Sequence, residues 1–461
     1  MRRADRARGG GRDRHVAGGA RAPRGPLLSS WHFWALVIAF AVGVGLRYAL
    51  RGHINRDATY FLIPWYQFAK TNGAAALGKP FTNYTPFYTY LLLGATQFDK
   101  LAAPLSLVKT ISAVFEFGCA IAVYRIVRDT KQSRRRAAFG FAAVWLAPTV
   151  LFNGAAWGQA DSIWTFFVLI AIWLFLQDRN GSLPFAAAFA VKAQAVFLGP
   201  FVLGLLIRRK ELVWLAAIPV VYLCFAVPTL LAGLPLSDAL SVYWAQANTD
   251  DFLTNNAASI WVFGWWVPLK IGVVIGICAA TAAGLWLALF IGRISDDRPR
   301  FLLLCACTSL LLMPFLLPKM HDRYFYAYEV AVIALASIDG RYLIYAYIAQ
   351  VDGLLSYLAF EQRIPPGLVV ATFCNGFMAC FLIIDVLRGG EGRRPSLANW
   401  ISLAFASTAL FAAFIAITLH RDRRLVYDSC MLFYMTVVFF ALREVGKSPN
   451  RNLRHRLLPQ A

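Results

Sequence analysis

Residues Trp31 to Leu50 read WHFWALVIAFAVGVGLRYAL, and a polar stretch, RGHINRDATYFLIPWYQFAKTNGAAALGKPFTNYTP, follows from Arg51 to Pro86. The first segment is apolar over the ~20 residues a helix needs to cross a hydrocarbon core roughly 30 Å thick. Runs of this kind recur from Trp31 towards the C-terminus. The chain has 461 residues, 59% of them hydrophobic and 15% charged, with mean hydropathy +0.57. Soluble domains sit near half apolar and about a quarter charged. The composition therefore describes an all-α polytopic membrane protein.

The net charge of +21 is not spread over the chain. The segment RRADRARGGGRDRHVAGGARAPRG holds eight Arg against two Asp, and further clusters lie at Arg128–Arg136, Arg208–Lys210, Arg388–Arg394 and in KSPNRNLRHR near the C-terminus. Short basic stretches beside apolar spans mark cytoplasmic loops and attract anionic lipid. That reading displaces nucleic acid as a partner. The first thirty residues are too polar and Gly/Arg-rich to fold alone and are expected to be disordered; they do not resemble a cleaved signal peptide. All eight Cys fall inside apolar segments. No disulfide framework or zinc spacing is present, and they are expected to be small packing residues.

Charge placement gives a topology. The first span leaves the basic tail (residues 1–30) inside and the Arg51–Pro86 loop outside. FYTYLLLGATQF (Phe87–Phe98) reads as a helix at the outer interface, and the run from Leu105 to Val127 as the second crossing. Further spans are expected at about Ala137–Phe152, Ile163–Gln177, Leu212–Ala232, Pro268–Ile291, Phe301–Pro318, Tyr324–Ile338, Tyr342–Phe360, Leu368–Leu387, Ala398–Leu419 and Val426–Leu442. Leu183–Ile207 is flanked by inner charges on both sides and carries Lys192 and Gln194 in its middle. It reads as a re-entrant pair of short helices. About 12 crossings (11–13) and this hairpin result, with both termini cytoplasmic. HRDRR (His420–Arg424) alone is basic yet on the expected outer side. Residues 31–338 form one transmembrane module, 339–442 the C-terminal helices and 443–461 a second basic tail.

Polar residues collect on the expected outer side. Asp57 lies in the first loop with Trp65 near it, and Asn83 and Tyr84 mark the loop's return. Gln159 and Asp161 follow in GQADS, and Lys319, His321, Asp322 and Arg323 in PKMHDRYF. A lone acid past a span is most often a solvated residue or a helix cap, and Asp161 reads equally well as a cap of the fourth span. The second cluster is either a charged turn with snorkelling cations or a site, since four ionisable residues in five lack a topological reason. Glu116 and Lys192 sit inside apolar segments and need partners or water.

Five stretches occur in an order that resembles the GT-C superfamily of polyprenyl-phosphate-sugar-dependent glycosyltransferases. They are NRDATYFLIPWY (from Asn55), FTNYTPFYTYLLL (from Phe81), AAWGQADSIW (from Ala155), AVKAQAVFLGPF (from Ala190) and LLPKMHDRYFY (from Leu316). The likeness is to bacterial relatives of the GPI mannosyltransferases and of the dolichyl-phosphate-glucose glucosyltransferases, and it covers Trp31 to Ile338. It implies a GT-C-like fold in the bacterial inner membrane with a periplasmic active site. Asp57 is then the catalytic base. Arg323, His321, Lys319 and Asp322 hold the donor phosphate, and Asp161, Gln159, Tyr84, Asn83, Trp65 and Lys192 line the cavity.

The activity implied is transfer of a hexose, mannose or glucose, from a polyprenyl-phosphate donor to a lipid-linked or extracytoplasmic glycan acceptor. Asp where relatives often have Glu, and a single acid in the first loop, depart from the pattern. A single acid in the first loop weakens the case for a metal bridged by two carboxylates; no cofactor is expected, and dependence on a divalent metal stays open. A flippase or transporter of a lipid-linked sugar is the alternative. Transporters commonly repeat a broken helix in both halves, and only Leu183–Ile207 looks broken.

Overall fold

The computed structural model describes residues 31–248, 251–362 and 365–390. Almost all of its regular structure is helical. Eight helices among the described residues are long and apolar enough to cross a membrane. The chain is thus a membrane-embedded, all-α polytopic protein. The basic tails, the two expected spans beyond Ala398, HRDRR and Cys430 lie outside the described residues.

Helix α1 (Trp31–Leu50) is followed by a π-helical turn (Ala58–Leu62), α2 (Ile63–Asn72), a 3-10 turn (Gly73–Gly78) and α3 (Pro86–Thr96). The first polar stretch is therefore largely helical rather than a loop. Pro64 and Pro86 sit in first turns, where the missing N–H costs nothing. Next come α4 (Pro104–Lys131), α5 (Arg134–Trp145), the single turn α6 (Pro148–Val150) and a second π-helical turn (Leu151–Ala156). They lead to α7 (Asp161–Leu176), α8 (Ser182–Val191), α9 (Gly199–Arg209) and α10 (Ala217–Leu231). After α11 (Leu236–Ala247), strand β1 (Thr254–Asn255) pairs in parallel with β2 (Met320–His321). Helices α12 (Leu269–Arg293), α13 (Pro299–Leu316), α14 (Tyr326–Ile338), α15 (Leu343–Gln362) and α16 (Pro365–Leu387) complete the bundle. The expected spans within the described residues fall on helical segments, although Ala137–Phe152 is broken between α5 and α6 and α7 and α14 are short.

Helices α13 and α14 are buried almost all round and make the core. Helices α1 and α12 instead present rows of bare apolar side chains, among them Ile38, Val42 and Leu46, and Ile271, Val274 and Ile275. In water such faces would aggregate; beside lipid tails they are matched to their solvent. Cys119, Cys305 and Cys307 are buried as expected, but Cys224 and Cys278 lie exposed on outer faces rather than packed.

Some polar groups inside the bundle are paired across helices, while others, among them the Glu329 and Asp352 carboxyls, have no hydrogen-bond partner among the described residues. Arg47 on α1 donates through Nε to Glu116 Oε2 on α4 at 2.7 Å, and its guanidinium lies 3.4 Å from the Trp145 ring centroid. A Cβ on Gly154 would stand 1.7 Å from Glu116 Oε1, so only glycine lets the second π turn pass so close. Lys109 Nζ donates to the carbonyls of Leu50, His53 and Ala156 and ties the end of α1 to α4 and the π turn.

Helices α8 and α9 form the expected hairpin. Arg209 Nη2 meets Asp178 Oδ1 at 2.8 Å, and Asn180 Nδ2 donates to Glu211 at 2.8 Å, so the two ends of the segment lie side by side. Its tip is Lys192, whose extended backbone (φ −156°, ψ 134°) interrupts the helix. The tip reaches the Asp57 end of the bundle, where Thr85 Oγ1 donates to the Val191 carbonyl at 2.8 Å.

Candidate functional site

The site begins where α1 ends. Asn55 Oδ1 accepts the Ala58 N–H at 2.7 Å, and Asn55 Nδ2 donates to the Trp157 carbonyl at 2.9 Å. Asn55 thus caps the first π turn and fixes it against the Trp157 segment. Asp57 stands at the N-cap position but makes no capping bond. Of the two ordinary roles of a lone acid past a span, solvated residue or cap, the cap is thus not the one Asp57 takes. Its Oδ2 accepts the Gln159 side-chain amide at 2.5 Å, and the residue stays partly exposed.

Gln159 and Asp161 are aimed by a sharp turn. Gly158 has φ +82°, a left-handed conformation that side chains disfavour, and a Cβ there would meet Leu62 Cδ1 at 2.8 Å. The turn carries Gln159 towards Asp57 on one side and starts α7 at Asp161. The N-cap of α7 is Ala160, and the Asp161 carboxylate does not cap it. That carboxylate instead accepts from Asn153 Nδ2 at 3.1 Å and Trp164 Nε1 at 3.2 Å, and pairs with Lys192 Nζ. Arg323 Nε lies 3.6 Å from its other oxygen. The capping role expected for Asp161 is replaced by a buried ion-pair network, because the hairpin tip delivers a cation no neighbouring residue could.

Tyr84 bridges the two parts. Its hydroxyl donates to Gln159 Oε1 at 3.4 Å, and its ring centroid is 5.7 Å from Lys192 Nζ. Burial pushes its phenol well above the usual range. Trp65 packs edge-on to Tyr84 at 5.7 Å between ring centroids. A continuous polar chain thus runs Asp57, Gln159, Tyr84, Lys192, Asp161, Arg323.

The last member is placed by the short strand pair. The Asp322 N–H donates to the Asn255 carbonyl at 3.1 Å, and Lys319 N donates to the Leu253 carbonyl at 2.7 Å. Asp322 is fully buried beside Arg323, with Nη1 to Oδ1 at 3.6 Å, and His321 Nδ1 lies 4.0 Å from the same oxygen. Neither Asp322 oxygen and not the Arg323 Nε has a hydrogen-bond partner among the described residues. Arg323 lies between the Asp161 carboxylate and the Asp322 carboxyl, at 3.6 Å from each, while its Nε is left unfilled. The Arg323 guanidinium is 5.9 Å from the Trp157 ring centroid.

Two expected members stand apart from this chain. Lys319, at φ +60°, donates its ammonium to the Ala247 carbonyl at 3.1 Å on α11. Asn83 is exposed, and among the described residues its carbonyl alone is engaged, by Gln246. Sequence reasoning gave no role to Asn153 and Asn55, neutral amides whose importance lies in what packs beside them. Among the described residues, no three His, Cys, Asp or Glu side chains converge on a metal position.

Burial pushes the Asp322 carboxyl up to about 8; Arg323 opposes this, while Asp161 and Asp57 add to it. The native protein then keeps a proton that the unfolded chain loses near an ordinary carboxyl value. The stabilisation from this group is full below about pH 4 and is lost as pH rises through about 8. Thermal unfolding followed across that window should show stability falling with pH, and Asp322→Asn should flatten the slope. A slope unchanged in that variant would assign it elsewhere.

No protein-family model and no curated protein matches the chain.

Proposed function

We propose that this protein is an integral-membrane glycosyltransferase that moves a hexose from a polyprenyl-phosphate donor to a glycan or glycolipid acceptor. The observation that carries the reading is the polar chain itself. It links a partly exposed acid, Asp57, to an Arg323 fork with vacant donor capacity, at one end of the helical bundle. An acid with access to solvent suits proton removal, and a planar cation suits an anionic leaving group.

The acceptor hydroxyl attacks the anomeric carbon and gives its proton to Asp57. The bond from that carbon to the phosphate oxygen breaks, and the electron pair leaves with the polyprenyl phosphate. Charge growing on that phosphate is met by Arg323, with His321 beside it. Protonated Asp322 leaves the Arg323 charge for the donor and supplies an O–H donor of its own. Asp161 holds Lys192 and Arg323 in place, and Gln159 orients Asp57. Direct displacement inverts the anomeric configuration. The bilayer holds the donor's tail, and the reacting end faces the periplasm or exterior.

Arg323→Ala should raise the KM for the lipid-linked donor by about 10–100-fold, the loss of one charge-assisted contact. Arg323→Lys should recover only part of it, because a point charge lacks the fork. The test of the reading is incubation of purified protein with a panel of polyprenyl-phosphate hexoses, mannose and glucose first, followed by detection of released polyprenyl phosphate. Release from none of them, with an acceptor mixture present, would refute it.

A further inference from the structure

At the opposite end of the bundle from Asp57 lies a cavity of about 500 Å³ lined by Lys131, Arg136, Arg300, Asp339 and Arg341, together with Ile338 and Gly340. The cations come from four elements. Lys131 ends α4, Arg136 is in the first turn of α5, Arg300 opens α13, and Arg341 is in the 3-10 turn (Gly340–Tyr342) between α14 and α15. Four cations thus face one carboxylate.

That carboxylate is fully used. Asp339 accepts from Arg341 Nη2 at 2.6 Å and from Arg300 Nη1 at 2.7 Å. Burial opposes its ionisation, but hydrogen bonds from Arg341 and Arg300 hold its carboxyl well below the usual range. Among the described residues, neither Lys131 nor Arg136 pairs with an acid. Arg136 Nη1 donates to the Ile338 carbonyl at 2.8 Å, which fixes the guanidinium without neutralising it.

A general excess of basic residues on the cytoplasmic side explains their number but not this convergence. Cations that serve only topology fan out into water. Here Arg300 and Arg341 keep only 24% and 18% of their side-chain surface exposed, and both donate to the Gly390 carbonyl. Arg136 and Arg300 also sit in the first turns of α5 and α13, neither of which has an acidic residue in its first turn. A helix start favours anions, so cations there are locally unfavourable unless an anion joins them. The same anion would satisfy both the helix starts and the surplus charge.

We propose that this cavity binds a phosphate-bearing anion, either the headgroup of an anionic lipid or the free ion. Guanidinium forks match phosphate oxygens in pairs, and basic pockets between membrane helices take lipid headgroups. The site is separate from the sugar-transfer site and does not depend on that reading.

The test uses the full-length protein in detergent and follows thermal unfolding with added phosphatidylglycerol, phosphatidylcholine or inorganic phosphate. Phosphatidylglycerol should raise the midpoint and phosphatidylcholine should not. The double variant K131Q/R136Q, which leaves the Asp339 pairs intact, should weaken the apparent affinity by about tenfold. Stabilisation by inorganic phosphate as well identifies a site that takes the free ion; stabilisation by the lipid alone identifies a headgroup site. Should the double variant fold poorly, Lys131→Glu reverses one exposed charge and should weaken binding on its own. Equal response to both lipids with none to phosphate, or variants that respond like the parent, overturns the proposal.

Discussion

Asp57→Asn is expected to slow sugar transfer by about 10²–10⁴-fold, the range a positioned general base contributes, while expression, folding and donor binding stay close to the parent's. The structural cost of the change is small. Asp57 caps nothing, its side chain accepts the Gln159 amide, and an asparagine oxygen can accept the same bond. What asparagine cannot do is take a proton. Initial rates with a lipid-linked donor, beside donor binding measured separately, distinguish the two effects. A loss confined to KM would place Asp57 in donor binding instead, and full activity would remove its assigned role.

Lys192→Met should be the most destabilising single change at the site. Lys192 keeps 4% of its side-chain surface and Asp161 none. Removing one partner of a buried pair leaves the other charged and unsolvated, which costs roughly 3–5 kcal/mol. Arg323, at 3.6 Å, offsets only part of that. The double variant Asp161→Asn/Lys192→Met leaves no uncompensated carboxylate and should recover much of the loss in unfolding midpoint. A double variant as unstable as the single would mean that Lys192 acts by shaping the α8–α9 break rather than by pairing.

The bundle was legible because a bilayer forces apolar helices of a set length, and α4, α10, α12 and α13 fall where their apolar runs do. The α8–α9 hairpin was legible for a different reason. The basic cluster after it and the turn before it both fell on the inner side, which contradicted a single crossing, and the Arg209–Asp178 pair shows those ends together. The first polar stretch was misread as loop because its aromatics and prolines suit helices packed on other helices as well as turns. Asp57 and Arg323 stood out by charge and position. Their connection did not, since Gln159 is a neutral amide and Lys192 comes from a segment 31 residues beyond Asp161. Lys319 read as a support to Arg323 at the donor phosphate, yet the strand pair and its left-handed backbone send it to α11. Likewise, Lys131 and Arg136 read as topology alone until α13 and the α14–α15 turn close around them.

The central claim is that the polar chain breaks a donor bond rather than passing a lipid-linked sugar across the bilayer. Proteoliposomes holding the purified protein and a polyprenyl-phosphate hexose labelled in the sugar separate these outcomes, because cleavage and translocation are scored in the same vesicles. With an acceptor mixture added, the account predicts label transferred to acceptor and an equal amount of free polyprenyl phosphate, both slowed by about 10²–10⁴-fold with Asp57→Asn. Label that changes leaflet with the sugar–phosphate bond intact, at the same rate in the variant, would contradict it.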